Sequence, residues 1–184
     1  MIRASDAKLV LLDATVPHRF CEAQLLLELI TYLRDSAWVT PEVMGELRNS
    51  ASGNKYVGLR ALDLTSWPKV TDVLPPEFRG EYADLKRAAQ QPGDPPEAHI
   101  GEITTVLMAA HLNADVVVID DRFGKALVRR KLPAQRRLST AQLALEMVQA
   151  GSLSVDEGFA VFDCTTDETV GRSRYDQALR NARP

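Results

Sequence analysis

The chain has 184 residues, 45% of them apolar, which is the size and content of one ordinary domain with a core of its own. Its 22 Lys and Arg against 25 Asp and Glu leave a formal charge of -3, which excludes polyanion binding through overall charge and leaves any nucleic-acid contact to a local basic patch. Cys21 and Cys164 stand far apart with no metal-ligand spacing, so reduced thiols in a core, and hence the cytosol, are expected. The most apolar stretches, QLLLELITYL and ITTVLMAAHL, are cut by charge or reach only about half of the ~20 residues a bilayer needs. The opening MIRASDAK has no apolar h-region, so neither a membrane span nor an export signal is expected.

KLVLLD, residues 8–13, is a short apolar run ending in a carboxylate and reads as a first strand. CEAQLLLELITYL follows as one helix, with Leu25, Leu26, Leu29 and Leu33 at helical spacing. Ala37 to Thr40 forms a second strand, and Thr40 with Pro41 supplies an N-cap and a proline at the first helical position. Patterning then weakens from Gly53 to Pro76, where KYVGLRALDL reads as a helix and WPKVTDVL as a short strand. PPEFRGEYADLKRAAQ is a polar, exposed helix, and QPGDPPEA, with three prolines and a glycine, is the clearest loop. The next helix carries an apolar stripe of Ile103, Val106, Leu107 and Ala110.

VVVIDDRF, residues 116–123, is a buried strand that ends in two adjacent carboxylates. A basic helix, DRFGKALVRRKL, and an edge strand, QRRLS, come next. TAQLALEMVQAG is a helix closed by Gly151, and Ser154 to Phe162 and Ser173 to Ala182 are further helices. Strands alternating with helices, without tight hairpin signals, predict a parallel sheet covered by helices, with ligands at the carboxyl ends of the strands. Trp38 and Trp67 read as core residues.

Four acids then stand out. Asp13 and Asp120 follow strands, whereas Glu46 and Glu102 flank the buried stripes of helices. A helix cap accounts for one of Asp120 and Asp121 and leaves the other pressed against a like charge, which a cation would relieve. Carboxylates on separate elements, converging on one edge, suit a hard oxygen-seeking cation such as Mg²⁺ or Mn²⁺. His18, His99 and His111 show no paired zinc spacing. Such a site can activate water and stabilise a leaving oxygen in phosphodiester cleavage. Arg122, Lys125 and Arg129, at i, i+3 and i+7 beside the acidic pair, could position a phosphate backbone, and Arg130, Lys131, Arg136 and Arg137 could widen that rim.

LLDAT, VTPEVMGEL, GEITTVLMAAHLNADVVVIDDRFGKAL and STAQLALEMVQAGSLS resemble, in order and spacing, the PIN-domain ribonucleases, which include the toxins of bacterial toxin and antitoxin pairs. The resemblance implies a three-layer α/β/α sandwich around a central parallel sheet over residues 1–155, with residues 156–184 as a C-terminal helical extension packed on it. It further implies a Mg²⁺- or Mn²⁺-dependent endoribonuclease acting on single-stranded RNA, with Asp13, Glu46, Glu102 and Asp120 as the catalytic quartet. Either Asp120 or Asp121 could face the metal, and Thr15 is placed to hydrogen-bond a metal-bound water. A homodimer and an antitoxin that blocks the acidic site are the implied partners. The competing reading is a PIN-like module that binds RNA or a protein without cleaving. A phosphatase of the haloacid dehalogenase class would need a second Asp where Thr15 stands.

Overall fold

Strands of only three residues can hold a sheet together when both of their faces are buried. Val10 to Leu12 and Val116 to Val118 meet that condition with no solvent exposure at any of the six residues. In the computed structural model, which describes residues 3–53, 56–61, 64, 66–132, 135–165 and 172–181, these two segments form β1 (Val10–Leu12) and β4 (Val116–Val118) at the centre of a parallel sheet. β2 (Ala37–Val39) and β3 (Lys69–Val70) extend it on one side, and β5 (Arg136–Leu138) extends it on the other, giving the order β3-β2-β1-β4-β5. The expected strands are all present, with β3 and β5 at the two edges.

The period-2 alternation of the strands sorts the helices into layers. Val10, Leu12, Ala37, Val39, Val116, Val118 and Leu138 face one core. This core is shared with α1 (Thr15–Glu22), α2 (Leu26–Leu33), α3 (Pro41–Ser52), α4 (Val57–Ala61), α8 (Thr140–Gln149), α9 (Val155–Asp163) and α10 (Arg172–Asn181). Leu11, Val117 and Ile119 face the opposite core with α5 (Arg79–Ala89), α6 (Ile100–Leu112) and α7 (Arg122–Lys131). The result is the three-layer α/β/α sandwich with an all-parallel sheet. No helix among the described residues is long and apolar enough to cross a membrane.

Three local readings change. The single helix expected from Cys21 to Leu33 is two helices, α1 and α2, and α1 begins earlier, at Thr15. Gln24 takes a left-handed conformation (φ 61), while the Leu25 and Gln24 amides donate to the Phe20 and Cys21 carbonyls. This is the closing geometry that Gly151 (φ 73) supplies after α8, where the Ser152 and Gly151 amides donate to Met147 and Val148. The second change concerns α6, which is buried almost all round from Gly101 to Ala109 except at Glu102, whereas Ala110, assigned to the apolar stripe, is exposed. The third concerns Trp38, which is half-buried with the Lys69 ammonium over its ring, whereas Trp67 is core. The weak stretch after Gly53 yields α4 and the two-residue β3; Lys55, Leu62, Asp63 and the helix-end residue Ala182 lie outside the described residues.

The C-terminal helices share the core of β1. Gly158 of α9 lies so close to α8 that a Cβ there would stand 2.7 Å from Val148 Cγ2 and 3.2 Å from Leu179 Cδ2. Tyr175 and Leu179 of α10 are buried at this junction, and the Tyr175 hydroxyl donates to the Gly158 carbonyl. Leu179→Ala should therefore lower the stability of the whole domain by about 2–5 kcal/mol, read as one cooperative denaturation transition moved to lower denaturant. An unchanged main transition would mean that α10 is an independent appendage.

Candidate functional site

All five strands point the same way, so their carboxyl ends share one edge. The chain leaves β1 toward β2 on one side and crosses over to reach β4 on the other, which makes the gap beside β1 and β4 the switch point where open α/β sheets bind ligands. Asp13 follows β1 directly and donates its amide to the Val118 carbonyl, extending the β1–β4 ladder by one bond. Asp120 leaves β4 after Ile119, so both acids stand at the same edge.

Asp13 is only 3% exposed. The Thr15 hydroxyl donates to its carboxylate at 2.6 Å. Thr15 thus orients Asp13 directly, and its hydroxyl oxygen keeps lone pairs with which to accept from a water. Burial and then the neighbouring Glu102 carboxylate push Asp13 up from 3.8 to about 7; Glu46 adds to the rise, and the Thr15 and Ala14 hydrogen bonds oppose it.

Glu46 and Glu102 come from helices whose mutual position is tied to the sheet. Thr40, at the end of β2, accepts from the Val43 amide to cap α3, and its hydroxyl is hydrogen-bonded to that of Thr104 in α6. Gly101 lets α3 and α6 close up: a Cβ there would fall 2.7 Å from Glu46 Oε1. Glu46 is exposed at the rim; the protein around its carboxyl, then Glu102 and Glu42, raise it from 4.5 to about 7. Because water reaches Glu46, screening weakens its share of the repulsion relative to buried Asp13. Glu102 is half-buried and is also raised, first by burial and then by Asp121, with its own amide and His99 opposing.

The two adjacent acids divide their tasks. Asp120 Oδ1 accepts the Thr140 amide at 2.8 Å, at the start of α8, while its Oδ2 is enclosed without a hydrogen-bond partner among the described residues. Asp121 caps α7 by accepting from the Gly124 amide at 3.0 Å, and its charge is the one that acts on Glu102. Asp13, Glu46 and Glu102 thus form one electrostatically coupled group, which Asp121 joins through Glu102, and Asp120 flanks it with one oxygen committed to α8. Gly124 makes the α7 contact close, since a Cβ there would run into the Ile119 side chain and lie 3.6 Å from Glu102 Cβ.

Arg122, Lys125 and Arg129 lie on α7, which starts beside Asp121, with Arg122 and Arg129 exposed. Of the wider basic rim, Arg130 and Arg137 are exposed, while Lys131 is ion-paired with Glu81 and Arg136 with Glu146, which also accepts the Ala4 amide. His18 sits in α1 and stacks on Tyr56 with ring centroids 4.3 Å apart. Cys21 and Cys164 are free thiols, buried and half-buried.

No second histidine stands at zinc spacing from His99, so histidine pairing does not mark it in the sequence. It precedes Glu102 by one helical turn, and one ligand atom from each of His99, Glu102 and Asp121 lies within 4.8 Å of the others. The His-x-x-Glu spacing across a helix start was the signal available in the sequence.

The raised carboxyls set a pH dependence. Protonation of Asp13 stabilises the metal-free fold; that stabilisation is complete below about pH 4, the ordinary carboxyl range, and is lost as pH rises through about 7. Metal-free protein should melt at a higher temperature at pH 5 than at pH 8, and Asp13→Asn should raise the pH 8 value and shrink the difference. Equal pH 8 melting temperatures for the two proteins would contradict this electrostatic account.

No protein-family model, curated protein or solved structure matches this chain.

Proposed function

We infer that the protein is a divalent-cation-dependent ribonuclease of the PIN-domain kind. The observation that carries the reading is the coupling of buried Asp13 with Glu102 and Glu46 at the switch point of a parallel sheet. The groups acting against ionisation of Asp13 and Glu46, apart from burial, are other carboxylates. A fold that keeps so much like charge together has a use for a cation, and an oxygen donor set fits Mg²⁺ or Mn²⁺.

Asp13, Glu46 and Glu102 are the residues that would hold the metal, with Asp121, whose charge acts on Glu102, and the unpartnered oxygen of Asp120 beside them. A bound dication would supply an activated water and charge stabilisation for the leaving oxygen of a phosphodiester. Thr15 fixes the Asp13 carboxylate. Asp120 braces the edge through the α8 amide. Arg129, exposed on α7, supports a phosphate of the RNA backbone beyond the acids.

Incubation of purified protein with single-stranded RNA should give cleavage in Mg²⁺ or Mn²⁺, none in EDTA, and only background with Asp13→Asn or Glu102→Gln. Folded protein without cleavage in either metal would favour the non-cleaving RNA- or protein-binding module. Arg129→Gln should weaken RNA binding at all sequences and reduce the slope of log affinity against log salt by about one. An unchanged slope would remove α7 from the RNA path.

A further inference from the structure

His99 is held in a way that a solvated surface histidine is not. Its backbone is left-handed (φ 63) at the start of α6, a conformation uncommon for residues other than glycine, and the imidazole packs on the Phe123 ring at 5.3 Å. Nε2 faces Asp94 Oδ2 at 3.8 Å, and that same carboxylate oxygen accepts the Gln91 amide at 2.8 Å, so the loop before α6 anchors it. Nδ1 is enclosed and takes no hydrogen bond among the described residues. A ring nitrogen shut off from water without a partner is costly unless something else binds it. Asp94 thus stands on the Nε2 side of the ring, where metal-ligating histidines carry their orienting carboxylate, at ion-pair rather than hydrogen-bond distance.

We propose that His99, Glu102 and Asp121 together bind a transition-metal dication of the Mn²⁺ type, through one imidazole nitrogen and two carboxylate oxygens. The assignment rests on the reading of this edge as a cation site, and it deepens that reading by naming which cation the site prefers. A dication about 2.1 Å from each donor holds its ligands roughly 3 to 4 Å apart, so donors already within 4.8 Å of one another close on it by side-chain rotation. Glu102 is common to this triad and to the Asp13 and Glu46 cluster, which places it where one carboxylate can serve both. The nitrogen donor decides the selectivity. Mg²⁺ favours oxygen ligands and keeps its waters, whereas imidazole raises affinity for the first-row transition metals.

The test is Mn²⁺ and Mg²⁺ binding to metal-free full-length protein, with pulsed electron paramagnetic resonance on the Mn²⁺ complex to detect nitrogen coupling. His99→Asn is the first variant, because asparagine tolerates the left-handed backbone and lacks the imidazole. Asp121→Asn is the second, since it keeps the α7 cap; metal-free melting temperatures establish that each variant is folded. Wild type should show nitrogen coupling that His99→Asn abolishes. Mn²⁺ affinity should fall at least about tenfold in both variants while Mg²⁺ affinity falls less than about threefold in His99→Asn. Mn²⁺ bound without nitrogen coupling, or with equal affinity in His99→Asn, overturns the proposal and leaves the Mg²⁺ ribonuclease intact. Nitrogen-coupled Mn²⁺ without RNA cleavage sinks the ribonuclease alone, and no binding of either metal overturns both.

Discussion

The pairing of β1 with β4 is the constraint on which the rest depends. Val10, Leu11 and Leu12 lie beside Val116, Val117 and Val118 in register, and the six side chains alternate between the two cores. A one-residue slip would turn every side chain to the opposite face. It would also turn Asp13 to the other face at the edge where Asp120 and Asp121 leave the sheet. The register that packs the core is therefore the register that assembles the acids.

Against that gain stands repulsion. Burying Asp13 between two glutamates is unfavourable unless a proton or a cation joins it, and the chain holds the arrangement by spending contacts elsewhere. The threonine pair Thr40 and Thr104 links α3 to α6. Gly124 allows an approach to Ile119 that a Cβ would block, and Gly101 leaves room for the Glu46 carboxylate where it stands. These neutral contacts bring the charged groups together and keep them there, so the site's geometry is imposed by its surroundings and not by attraction among its members.

Much of this was legible in the sequence because short β-branched runs, a Thr-Pro helix start and Gly151 each carry a local physical cause. The parallel sheet covered by helices followed from their alternation. The division of α1 from α2 was hidden because Gln24 occupies the left-handed position where glycine is the usual marker. The depth of α6 was hidden because a helix buried on nearly all sides has no single stripe to read. At the site, Asp13, Glu46 and Glu102 stood out as acids beside apolar runs. The roles of Asp120 and Asp121 depended on which way each side chain turns after β4, which adjacency cannot specify. Lys131, Arg136 and Thr15 each contact a carboxylate within the fold, partners that lie far off in sequence for the first two. His99 needed the conformation of the loop before α6, a non-local fact.

The two borders of the sheet have a consequence for how copies of this chain can meet. β3 carries exposed Lys69 and β5 carries exposed Arg137, so each edge strand of the five-stranded sheet bears a basic side chain. Unpaired backbone at a border is a template for strand addition, and basic residues placed there discourage it. β3 is also only two residues long, too short to seat an incoming strand firmly. Growth of the sheet by strand addition is thereby discouraged at both ends.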